Sequence, residues 1–138
     1  MLRGEFPDAG ETSPEALLDA YHRRLRETLA ARASGAESVD GDVIESVRAG
    51  EVDSLTLSEA ADVLALDQAL PDGEAVAAEA RDILLMGMTT AVMDVDALAS
   101  ALDAALEPKE IQQKVEGRFP MTLEEYALLH HTIEAGAG

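Results

Sequence analysis

Thr-Leu-x-Glu occurs twice, at Thr56 and at Thr122, each time with apolar residues following at helical spacing. A threonine followed three residues later by a glutamate lets hydroxyl and carboxylate satisfy each other's backbone N–H groups, which marks a helix start. The two copies are shared capping chemistry and not a repeat of the chain. No segment alternates apolar and polar residues for long, so no strand is expected. Start and stop signals recur along the whole sequence. They predict an all-α fold, a compact single-domain bundle of about six or seven helices.

Residues 1–11 read as a flexible N-terminal arm containing Pro7 and Gly10, ahead of a helical domain over residues 12–135. The first helix is expected near Ser13 to Ala33. Either Thr12 with Glu15 or Ser13 with Pro14 starts it, and Leu17, Leu18, Tyr21, Leu25 and Leu29 form its apolar stripe. Ser34 to Gly41 reads as a linker. A short helix over Asp42 to Ala49 buries Val43, Ile44 and Val47 and ends at Gly50. Thr56 opens the next helix, which is expected to run to Pro71. Asp72 caps a helix with Val76, Ala80, Ile83, Leu84 and Gly87 on one face, ending between Met88 and Met93. Asp94 or Asp96 begins a helix carrying Val95, Leu98, Leu102 and Leu106. Pro108 and Gly117 bracket another. Thr122 and Glu125 open the last, with Met121 and Tyr126 spaced as a hydrophobic staple.

At 138 residues the chain suits one domain that buries about two thirds of its unfolded surface. Hydrophobic residues at 47% exclude a disordered polar chain, while aromatics at 3% require a core of Leu, Ala, Val and Met. The absence of cysteine excludes disulfides and thiolate metal sites.

Asp and Glu total 28 against 10 Lys and Arg, for a net charge of −18, and only Lys109 and Lys114 are lysines. This balance predicts a protein adapted to very high salt. There the Debye length falls below about 3 Å and screens the self-repulsion, while the carboxylates keep the surface hydrated. Met1 to Gly10 is too polar for a signal peptide. The apolar run Ile83 to Met93 is shorter than the roughly 18 residues a span needs and is closed by Asp82 and Asp94. A cytoplasmic protein without membrane contact is expected.

No phosphate-cradling glycine loop, nucleophile elbow or calcium loop is present, so the chain reads as non-enzymatic and without cofactors. His130 and His131 are adjacent and point about 100° apart on a helix, so they read as helix-face residues and not as metal ligands. Arg23, Arg24, Arg26 and Arg32 place four of the ten positive charges in half a helix. They form either a docking strip for an acidic partner or a set of internal pairs with the chain's own carboxylates. Met86, Met88, Met93 and Met121 read as core filling in a chain with few aromatics, the other reading being an adaptable surface.

Residues 94–134 resemble the second to fourth helices of the Cro/C1 repressor-type helix-turn-helix. The resemblance is carried by Leu98-Ala99, then Ile111, Val115, Glu116, Gly117, Arg118 and Pro120, then Met121-Thr122-Leu123-Glu124-Glu125-Tyr126. The connection Asp103 to Glu107 lacks the glycine of that turn and is about two residues longer. The resemblance implies DNA contact by the helix at 108–117, with Lys109, Gln112, Gln113, Lys114 and Arg118 as contact residues. A broader resemblance, to a small haloarchaeal family of unknown function, rests on three runs. They are Leu55 to Ala61, Leu85 to Asp96, and Pro120 to Ile133. It implies a cytoplasmic protein of a salt-accumulating archaeon and brings no activity with it. The expected role is an interaction or regulatory module that binds protein through an exposed helix face. DNA binding by the 108–117 helix is the alternative.

Overall fold

The Ser13 side chain accepts a hydrogen bond from the Ala16 N–H at 3.1 Å, and Pro14 takes the first helical position, where its missing N–H costs nothing. The first helix therefore begins at Pro14. The computed structural model describes residues 5–137. Among these are seven α-helices: α1 (Pro14–Ala31), α2 (Gly41–Ala49), α3 (Leu57–Leu64), α4 (Gly73–Ala91), α5 (Val95–Ala101), α6 (Pro108–Val115) and α7 (Leu123–Ala137). No strand occurs among the described residues, and they form one all-α domain.

Capping explains most boundaries. Asp40, Asp72 and Asp94 each accept a hydrogen bond from the first turn of α2, α4 and α5. Both expected capping boxes form, Thr56 with Glu59 and Thr122 with Glu125. They also face each other. Leu57 donates its N–H to the Met121 carbonyl at 2.7 Å and Leu123 donates to Leu55 at 2.6 Å, so Thr56 and Thr122 form one antiparallel bridge. The starts of α3 and α7 are thereby tied together.

Other boundaries differ from expectation. The helix expected to reach Pro71 stops at Leu64, because Asp67 accepts from the Ala69 N–H and residues 65–70 close into turns. The expected linker contains a 3-10 helix, Ala33–Ser38, and buries Ala36 and Val39. After α5 the chain turns through Asp103 and Ala104, both left-handed, which returns Leu106 to the core. Residues 5–11, expected as part of a loose arm, are seated on the domain. Ala9 is fully buried, its carbonyl accepts from His131 Nδ1 at 2.9 Å, and the Phe6 ring meets Tyr21 edge-on at 4.9 Å. Residues 1–4 lie outside the described residues.

α7 is the central helix, packed on both α1 and α4, with Leu123, Tyr126, Ala127, Leu129, His130 and Ile133 all buried. Each fully buried leucine or isoleucine contributes about 1.5–3 kcal/mol. Three of the four aromatic residues gather here: Phe6, Tyr21 and Tyr126 form one ring cluster with His130. The fourth, Phe119, stands on the surface, 54% exposed.

Candidate functional site

α6 is an eight-residue helix anchored by Ile111 and Val115, both buried, as the i, i+4 spacing requires. Lys109 and Gln112 project outward, whereas Gln113 is half-buried. Lys114 is not presented to a ligand on the outer face as the contact set anticipated. Its ammonium is shared between Glu110, at 3.0 Å, and Glu125 at the start of α7. Burial works against the charged ammonium, but the hydrogen bonds to Glu125 and Glu110 outweigh it and hold its pKa above the ordinary lysine value. Lys114 is thus a clamp between α6 and α7. Arg118 is largely exposed and lies 3.4 Å from Glu116.

The arginine strip divides into two pairs. Arg24 is tied to Glu5 at 3.2 Å and to Thr28, and Arg32 reaches Asp67 at 3.8 Å, so one face of α1 is internally paired. Arg23 and Arg26 lie on the exposed side. The structure therefore does not bring the four arginines together as one docking surface. The histidines are each bonded within the fold. His22 donates from Nε2 to the Val47 carbonyl at 2.8 Å, His131 bonds Ala9, and His130 bonds Tyr21. Among the described residues no group of three or more His, Asp or Glu side chains is placed to hold a metal ion.

A different surface stands out on α4. Its buried face carries Val76, Ala77, Ala80, Leu84, Gly87 and Met88, which leaves Leu85 and Met86 outside, 44% and 50% exposed. The phase of the Val76–Ala80–Leu84 stripe already excludes both residues, and that was the available signal. Thr89 and Thr90, one turn on, donate their hydroxyls back to the Leu85 and Met86 carbonyls. Those hydroxyls are spent on the helix itself, so the strip is more apolar than its composition. Val92 then caps α4 in the left-handed conformation, φ 54°, and is 90% exposed. A β-branched residue is a conformational outlier there, at a position that usually takes glycine. Of the methionines Met86, Met88, Met93 and Met121, Met88 and Met121 are core, Met93 is half-buried and Met86 is surface.

Residues 17–136 match DUF5791, a family of unknown function. The chain belongs to the DUF5791 family. No curated protein and no solved structure matches it. The DUF5791 match takes in the arginine strip, the α4 strip, α6 and both capping boxes, while the seated segment 5–11 lies ahead of it. Among the described residues no single helix is long and apolar enough to cross a membrane. The α4–α5 pair is so in composition, but it is bent by 91°.

Proposed function

We propose that the protein is a non-enzymatic interaction module that binds a partner protein on the outer strip of α4, in the cytoplasm of a cell with multimolar internal salt. One observation carries the reading. Val92 is held left-handed and almost wholly exposed at the end of a strip formed by Leu85, Met86 and two threonines with satisfied hydroxyls. Strain kept at an exposed apolar residue, where glycine is cheaper, is a signature of a retained contact. The net charge of −18 disfavours an anionic lipid surface as the occupant and leaves an apolar protein face as the fitting one. At multimolar salt the apolar contact is strengthened while charge repulsion is screened.

The test is affinity capture of the tagged chain from its own cells in native-strength KCl, scoring protein and DNA in the same eluate. The wild type should retain a stoichiometric protein partner. Leu85→Asp with Met86→Asp should lose it while keeping the helical circular dichroism spectrum. Retention of the partner by that double variant removes α4 from the reading.

DNA binding by α6 is the second reading, supported by the outward Lys109 and Gln112 over buried Ile111 and Val115. With Lys114 engaged by two glutamates and the chain acidic, phosphate attraction contributes little. Recognition would rest on base-edge contacts worth about 1–3 kcal/mol each. Gln112→Ala relaxing a sequence preference would favour it, and an eluate free of enriched DNA removes it.

A further inference from the structure

Arg81 is an arginine without an ion pair or hydrogen bond among the described residues, in a chain with 28 carboxylates. It is half-buried on α4, and its guanidinium lies flat against Gly117. A Cβ there would come within 3.0 Å of Nε and 3.1 Å of Cζ. Gly117 has φ 81°, so the same residue supplies the left-handed turn that ends α6 and the room the guanidinium occupies. The α6–α7 connection then carries Arg118 and Phe119 past the same spot.

These residues enclose a cavity of about 360 Å³ between the first turn of α3, Arg81 of α4 and the α6–α7 connection. Arg81, Lys114 and Arg118 all line it, and no carboxylate does. The glutamates that pair with Lys114 and Arg118, namely Glu110, Glu125 and Glu116, stand outside the lining. Among the other described residues the cations are neutralised by carboxylates or project into solvent. Here Arg81 faces a concave wall with no carboxylate in its lining, beside Lys114 and Arg118, whose glutamates stand outside it. Phe119 lines the same cavity, the one aromatic side chain left out of the core cluster.

We propose that this cavity is a binding site for a phosphate-bearing small molecule, its phosphate taken by Arg81 and Arg118 and its organic part resting on Phe119. Guanidinium forks match phosphate oxygens bidentately, with Arg118 exchanging its exposed contact to Glu116 for the dianion beside Arg81. Lys114, already shared by two glutamates, is neutralised by them and remains a clamp that fixes the wall. An aromatic ring at the mouth suits a flat apolar substituent. The site is independent of the α4 strip, since neither Leu85 nor Met86 lines it.

Phosphate stabilises most proteins by exclusion from their surface, so heat of binding and not melting temperature is the readout. Titration calorimetry at one fixed ionic strength in KCl uses three probes: phenyl phosphate, inorganic phosphate and benzoate. Phenyl phosphate should saturate at one per chain, with inorganic phosphate weaker and benzoate weakest. Arg81→Met should weaken phenyl phosphate at least tenfold. Arg118→Met, at a largely exposed position, should do likewise and decides the matter if Arg81→Met loses its helical spectrum. Heats that fail to saturate, or equal binding by Arg118→Met, overturn the site. Benzoate matching phenyl phosphate overturns the dianion assignment, and inorganic phosphate matching it removes Phe119.

Discussion

The Tyr21 hydroxyl lies 2.7 Å from Nδ1 of His130, joining α1 to the central helix α7 inside the core. Burial pushes the Tyr21 and Tyr126 hydroxyls far above the ordinary tyrosine range, so both stay protonated. The Tyr126 hydroxyl donates to the Ala80 carbonyl at 3.0 Å. A neutral His130 carrying its proton at Nε2 can accept from the Tyr21 hydroxyl at Nδ1. Burial, with a smaller contribution from neighbouring charge, pushes His130 down to about 4.

That depression makes stability depend on pH with a definite sign. The unfolded chain takes up the proton near pH 6.5, whereas the folded chain resists it until about 4. The contribution is complete above pH 6.5 and is lost as pH falls toward 4. By pH 5, before most carboxylates titrate, about 2 kcal/mol should have gone. Denaturant midpoints at pH 7 and pH 5, in constant high KCl, measure it. His130→Gln should flatten the difference, and a wild type equally stable at both values contradicts the buried neutral imidazole.

The two capping boxes should not behave as separate sites. Thr56→Ala and Thr122→Ala each remove a hydroxyl that accepts from a first-turn N–H, at a cost of about 1 kcal/mol each. Because Leu57 and Leu123 bond across the same bridge, loosening one helix start also loosens the other. A double-mutant cycle should show a coupling of about 0.5 kcal/mol or more. Strict additivity would mean the bridge transmits nothing.

These caps were also the most legible part of the fold. Thr56, Thr122, Asp72 and Pro108 act locally, within one turn of their own sequence, so residue type and spacing suffice to find them. Contacts between distant segments left no such trace. Glu125 lies eleven positions from Lys114, and nothing in either helix announces that their ends will meet. Ala9 and Gly10 looked like arm residues because small residues carry no periodic signal. They are buried or closely packed through backbone contact with α7. Val92 was hidden for another reason. Its neighbours Ala91 and Met93 continue the apolar run, so the left-handed turn is invisible until the helix is seen to stop.

Gly87 lies where α4 packs tightly on α7. A Cβ there would stand 2.7 Å from Cγ2 of Ile133, a branch carried on the β-carbon of a buried residue. Gly87→Ala gains about 1 kcal/mol of helix propensity but overpacks the interface at a typical cost of about 1–3 kcal/mol. The net change should be destabilising, with a fall of a few degrees in melting temperature. Adding Ile133→Leu, which removes the offending branch, should restore part of the loss. A stabilised Gly87→Ala would show that the helices can separate freely.

The charge of −18 predicts a salt requirement. When KCl falls from multimolar to about 0.1 M the Debye length grows to about 10 Å, and carboxylates on neighbouring helices begin to repel. Melting temperature by circular dichroism should fall steadily over that range. An unchanged melting temperature would remove the salt-adaptation reading.

Val92→Gly separates stability from function at one position. In the native state Val92 makes little contact, being 90% exposed, yet it holds φ 54° and ψ 48°. A left-handed residue with a Cβ costs about 1–2 kcal/mol, and glycine removes that cost while adding about 0.5–1 kcal/mol of unfolded-state entropy. The variant should therefore be as stable as the wild type or more stable, by up to about 1 kcal/mol. If the α4 strip is the docking surface, the same variant should bind its partner more weakly, because the apolar knob is gone. Denaturant midpoints and partner capture on the same preparation give both answers. Unchanged stability with unchanged capture would leave Val92 without a role on either count. Greater stability with lost capture is the outcome expected of a strained residue kept for contact.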